Sequence, residues 1–169
     1  MTVQNVRIFG DPVLRTAADP VVDFDKELRH LVDDLLETMG EQSGTGLAAF
    51  PELNPNPVLE FPDDEEQDGP EGCLSIPGVY VDTKRRQNVI AKGFNEFGDP
   101  MQIVGTGLMA RCLQHETDHL DGVIFIDRLD TTGRKQALKE IRRAEWYDPT
   151  NTRVKLSPHA APSPFGLGR

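Results

Sequence analysis

The sequence predicts an α+β fold in which small antiparallel β-sheets pack around a central metal-binding helix. Three observations carry this. Leu28, Leu31, Val32, Leu35, Leu36 and Met39 recur at i, i+3, i+4, i+7, i+8 and i+11, the stripe of an amphipathic helix. Short alternating segments between Val79 and Val104, broken by a turn at Asn95 to Pro100, read as antiparallel strands. Leu108, Cys112, His115, Glu116 and His119 then share one face of a second helix, which Gly122 closes.

Taken in order, Val6 to Leu14 is an extended entry interrupted by Gly10 and Pro12. The first helix is expected from about Asp25 to Gln42 with Asp23 or Asp25 as its N-cap, and His30 falls off its apolar stripe as a surface residue. Ser43 to Ala49 turns through Gly44 and Gly46, either as a helix end and turn or as backbone that approaches a ligand closely. Pro51, Pro55 and Pro57 confine the next strand to Val58–Leu59–Glu60–Phe61. Asp63 to Asp68 reads as a solvated acidic loop. The strands from Val79 to Val104 suggest an antiparallel meander, Val123 to Ile126 an apolar strand, and Thr131 or Thr132 the cap of a last helix reaching Trp146. No internal repeat is present.

The chain has 169 residues, 37% of them hydrophobic, which fits one domain with a single core. That domain is expected over residues 1–147, with 148–169 a disordered tail because its four prolines and small polar residues lack periodicity. With no apolar run of 18 residues and no signal-peptide pattern, neither a membrane span nor export is expected, and the expected compartment is the cytoplasm. Two cysteines make no disulfide framework. A formal charge of −10 argues against sequence-specific nucleic-acid binding, which needs clustered cations. The exception is Arg128 to Trp146, where six basic residues face three acidic ones.

His115-Glu116-Thr117-Asp118-His119 carries the chemistry. On a helix the two imidazoles stack at i and i+4, with Glu116 beside them within reach of a water at a bound metal. The bland alternative is two histidines on the surface of an amphipathic helix. A catalytic site usually takes three protein ligands and keeps a further position open. No histidine follows until His159 in the tail, so the third ligand is sought upstream, and Cys73 in Glu71-Gly72-Cys73-Leu74-Ser75 is the strongest candidate. A thiolate suits the metals that imidazole suits. Cys112 shares the metal face at i−3 from His115, either as a fourth ligand or, more ordinarily, as a small apolar core residue. Softness and geometry admit zinc, iron, cobalt or nickel.

Glu71 to Ser75, continued by Ile76-Pro77-Gly78, together with His115 to His119, resembles the second and third signature motifs of the peptide deformylases. Gly44-Thr45-Gly46-Leu47-Ala48-Ala49 resembles most of the first, and the three stand in the family's order. The resemblance implies a hydrolase that removes the formyl group from the N-terminal formylmethionine of new polypeptides. It implies Fe²⁺ as the ion on Cys73, His115 and His119, with Zn²⁺, Ni²⁺ or Co²⁺ as substitutes, and Glu116 as general base turned general acid. The Leu74 N–H becomes an oxyanion donor. Gly44, Gly46 and Leu47 become main-chain contacts to the peptide, Ile76 and Leu113 walls of the methionine pocket, and Arg85 a structural ion-pairing residue. The basic last helix becomes a ribosome contact. The family's first-motif glutamine is replaced by Pro51, and the segment from there to Cys73 is short. A second reading follows, a catalytically impaired metal- or peptide-binding relative.

Overall fold

The computed structural model describes residues 5–41, 57–150 and Lys155. The entry segment ends in a 3-10 turn at Pro12–Arg15, capped by Asp11, whose carboxylate accepts from the Val13 N–H at 3.0 Å. Helix α1 spans Lys26–Glu41. Asp25 satisfies two of its free N–H groups, those of Glu27 and Leu28, at 2.9 and 3.0 Å, as an N-cap carboxylate should. Of the stripe, Leu28 and Val32 are buried, whereas Leu31 and Leu36 remain 49% and 43% exposed. His30 is on the surface as expected.

Among the described residues seven short strands follow: β1 Val58–Glu60, β2 Glu66–Gln67, β3 Pro70–Cys73, β4 Ile76–Asp82, β5 Arg85–Arg86, β6 Asn88–Phe94 and β7 Pro100–Thr106. They form a three-stranded sheet in the order β1-β6-β7 and two ribbons, β2-β5 and β3-β4, all antiparallel. The expected single meander is therefore corrected. Of the strands from Val79 to Val104, β6 and β7 continue directly into one another, around a turn in which Asn95 Oδ1 accepts from the N–H groups of Phe97 and Asp99. β4 pairs backward with β3. The acidic stretch is also more than a solvated loop, because Gln67 donates to the carbonyls of Arg86 and Gly107 and so ties β2 to the start of the next helix.

Helix α2, Leu108–Leu120, lies between the two halves of this β-structure. One side, with Ala110 and Leu113, packs on Val89 and Ala91 of the sheet. Gly105 permits that approach, since a Cβ there would come within 2.9 Å of Leu113 Cδ1. The helix ends as predicted at Gly122, whose φ of 70° suits glycine. Its last carbonyls are closed by bonds from the N–H groups of Gly122 to His119 and of Val123 to Asp118.

The expected strand at Val123 to Ile126 is instead an extended lead into a 3-10 turn at Phe125–Asp127. The reason is burial. Ile124, Phe125 and Ile126 are all enclosed, whereas a strand would send alternate side chains to opposite faces. Asp127 holds the turn by accepting from the Ile124 N–H. The second core gathers these three residues with Cys73, Ile76, Val79, Ala137 and Ile141. Helix α3 runs over Thr131–Ile141, shorter than expected, and its cap is Asp130 rather than either threonine, the carboxylate accepting from the Gly133 N–H at 2.7 Å. Beyond it Trp146 donates to the Pro77 carbonyl at 3.0 Å.

Lys155 lies in the stretch expected to be disordered, yet it is buried, and its backbone bridges to the entry segment. Its N–H donates to Asp11 Oδ2, and its carbonyl accepts from the Ile8 N–H, both at 2.9 Å. Among the described residues no helix is long and apolar enough to cross a membrane.

Candidate metal centre

The β3-β4 hairpin and α2 meet along the helix side opposite the sheet. Cys73 ends β3 at the hairpin turn, and the Ser75 N–H points to its sulfur at 3.4 Å. His119 Nε2 is 3.2 Å from the same sulfur. One donor atom from each of Cys73, His115 and His119 lies within 4.8 Å of the others. One thiolate and two imidazoles so gathered fit a divalent ion of the zinc, iron, cobalt and nickel series. Cys112 is not in the group. Burial, with the charges of Glu116 and Glu71, pushes its thiol upward, so it remains a protonated core residue.

The reverse holds at Cys73. Burial opposes its ionisation, but the charges and hydrogen bonds of His119 and His115 outweigh burial and hold the thiol well below its ordinary range. Burial likewise opposes the charged form of His115, yet hydrogen bonds with Cys73 and Glu71 raise it well above the usual imidazole value. Glu116, 6% exposed, is raised chiefly by burial, with His115 and His119 pulling the other way.

His115 is oriented from behind. Its Nδ1 lies 2.7 Å from Glu71 Oε1, which leaves Nε2 for the cysteine side. Glu71 is wholly buried and accepts from Arg85 Nη2 at 2.6 Å, Arg85 Nε at 3.0 Å and Arg111 Nη1 at 3.0 Å. Burial alone would raise this carboxyl, but His115 and Arg85 take it down to about 2. Arg85 Nη1 continues to Asp118 Oδ2 at 2.7 Å, and Arg111 also donates to the Thr83 carbonyl. The ion-pairing role foreseen for Arg85 thus takes a definite form, a bridge between two buried carboxylates. Gln114 locks α2 to β5 through both backbone groups of Arg86.

The remaining expected residues divide. Leu74 sits in the hairpin turn beside Cys73, and among the described residues nothing accepts from its N–H. Ile76 is fully enclosed in the core that includes Cys73. Leu113 is corrected as a pocket wall, because it faces away from the ligands into the sheet. Helical geometry explains this: residue 113 is rotated about 100° from residue 112, which does lie on the metal side. Gly44, Gly46, Leu47 and Pro51 lie outside the described residues. Glu71, Arg111 and Asp118 were missed as partners of the site, although their signal was present. Glu71 is a charge beside a candidate ligand in an otherwise small-residue strand end, and Arg111 stands four residues before His115 on the same helix.

The polypeptide deformylase family model matches residues 3–51 and 52–135. The chain is 53% identical over 176 residues to the peptide deformylase of Acidothermus cellulolyticus, covering 94% of this chain and 96% of that one. It is 49% identical to the enzyme of Parafrankia sp. over 187 residues, across the full length of both. Since this chain has 169 residues, part of that relative has no counterpart here, and the family match breaks after Pro51. In structure it resembles the peptide deformylase of Thermus thermophilus, with a TM-score of 0.76 and 36% identity over 83% of this chain and 94% of that one. The enzyme of Synechococcus elongatus in complex with actinonin gives 0.73 and 36% over 85% and 89%. These matches do not favour the reading as an impaired relative, and with this agreement of sequence, fold and metal-side geometry the chain belongs to the polypeptide deformylase family.

Proposed function

We propose that this chain removes the formyl group from N-formylmethionyl nascent peptides with a divalent metal held by Cys73, His115 and His119, and that the ion is Fe²⁺. The observation that carries the reading is the convergence of a thiolate and two imidazoles beside the buried carboxyl of Glu116, in a chain of the deformylase family. The ion, when bound, supplies Lewis acidity that polarises the formyl carbonyl and makes water a competent nucleophile near neutral pH.

The chain's own groups do the rest. Glu116 takes the proton of the attacking water and delivers it to the amine as the C–N bond breaks, so that formate and a free N-terminus leave. Its raised affinity for a proton suits that exchange. The Leu74 N–H donates to the oxyanion that develops on the formyl oxygen. Glu71 keeps His115 in one tautomer through Nδ1. Gly44, Gly46 and Leu47 offer main-chain groups to the peptide in the manner of strand addition, and Ile76 contributes to the wall of the methionine pocket. The basic face around α3 is the candidate ribosome contact, and the compartment of action is the cytoplasm, where nascent chains emerge.

Formate release from a formyl-Met peptide, measured with protein loaded anaerobically with Fe²⁺ so that Cys73 is not oxidised, tests the reading. Turnover that is lost in both Cys73→Ala and Glu116→Ala supports it. Cleavage of an internal peptide bond instead would contradict it.

A further inference from the structure

The charge chain behind His115 does not stop inside the protein. From Glu71 it passes through Arg85 to Asp118, and Asp118 is then gripped by Arg128, whose Nε donates to Oδ2 at 3.0 Å and whose Nη2 donates to Oδ1. Asp118 is buried, but the Arg128 side chain is 48% exposed. It lines, with Asp118, Thr117, Asp121 and Gln114, a surface cavity of about 530 Å³. We propose that Arg128 is a positioning residue for the metal site, acting from the surface through Asp118, Arg85 and Glu71 on the orientation of His115.

Two carboxylates compete for one guanidinium. Arg85 is shared by Glu71 and Asp118, and each draws it. With Arg128 bound, the charge on Asp118 is answered from outside, and Arg85 keeps both of its bonds to Glu71. Without it, Asp118 has Arg85 as its only guanidinium partner among the described residues, and the pull on Arg85 is away from the carboxylate that receives His115 Nδ1. Arg128 is also the one member of the chain that can be removed without leaving an unpaired buried charge. Glu71 and Asp118 are then still matched by Arg85 and Arg111. A variant there should fold. The partners of metal-ligating histidines typically govern metal retention by about 10- to 100-fold, and a residue further out should move it less, by about three- to tenfold.

This inference rests on the ligand set proposed above, and the test separates the two. Co²⁺-loaded protein is compared for its visible absorption bands and for the rate at which it loses the metal to excess chelator, in the parent, Arg128→Ala, Arg128→Lys, Arg15→Ala and Cys73→Ala. Arg15 is the control, since it pairs with Asp127, one residue from Arg128, but has no bond into the chain to His115. We expect Arg128→Ala to shift the bands and release Co²⁺ about three- to tenfold faster, with an unchanged melting temperature for the metal-free protein. Arg128→Lys, which keeps the charge and loses the fork, should fall between, and Arg15→Ala should match the parent. Identical bands and rates in Arg128→Ala and the parent would overturn the proposal, as would equal acceleration in Arg15→Ala. A thiolate band that survives in Cys73→Ala would instead overturn the ligand set, and this inference with it.

Discussion

Glu71 Oε1 stands 2.7 Å from His115 Nδ1, and Glu71 is wholly buried. One carboxylate therefore fixes which imidazole nitrogen faces the cysteine while also pairing with two buried guanidinium groups. Glu71→Gln keeps the shape and removes the charge. It should weaken metal binding by about 10- to 100-fold and lower the melting temperature, because Arg111 loses its only carboxylate among the described residues. Metal titration and a thermal melt check the two effects, and an unchanged affinity would separate Glu71 from the site.

Glu116 is expected to act without ligating the metal. Glu116→Ala should retain one ion per chain, by metal analysis, while turnover falls by about 10²- to 10⁴-fold. If the ion were lost as well, Glu116 would be a ligand and the base would lie elsewhere.

How much of this was legible in the sequence follows from how local each signal is. The stripe of α1 and the shared face of Cys112, His115, Glu116 and His119 are set by 3.6-residue periodicity within one segment, and both helices stand where that pattern put them. The group of Cys73, His115 and His119 was also within reach, because the residue types limited the candidates. Strand pairing was not. β4 turns back on β3 because Cys73 and Ile76 flank a tight turn, a choice that alternation alone does not encode. Ile124 to Ile126 misled for a related reason, since a continuous apolar run reads alike whether it is a strand or a turn buried on every side. Arg85, Asp118 and Arg128 are scattered along the chain, and only the packing of the hairpin on α2 joins them.

Asp11 gives a pH signature away from the metal. It is buried, and although burial acts to raise its carboxyl, Arg7 and the N–H groups of Lys155 and Val13 take it from 3.8 to about 2. A carboxylate depressed in the folded state stabilises above its unfolded pKa and loses that contribution as the pH falls through the folded one. Asp11→Asn should therefore lower the melting temperature near pH 7, and the difference from the parent should shrink between about pH 4 and pH 2. A difference that grows on acidification would contradict the assignment.

The C-terminal segment should be dispensable only in part. A chain ending at Thr150 loses two backbone bonds at Lys155, to Asp11 and Ile8, of which each typically contributes about 0.5–1.5 kcal/mol. Its melting temperature should drop by several degrees, whereas a chain ending just after Lys155 should melt as the full chain does. Differential scanning calorimetry of both truncations decides the matter.

The most direct test of the ligand set couples metal content to chemistry in one pair of variants. Cys73→Ala and Cys112→Ala are loaded anaerobically with Fe²⁺, and each is assayed for bound metal and for formate released from a formyl-Met peptide. Cys112→Ala is expected to bind one ion and turn over like the parent, while Cys73→Ala loses both. Metal and formate release retained in Cys73→Ala but lost in Cys112→Ala would contradict the assignment of Cys73 as the metal's thiolate.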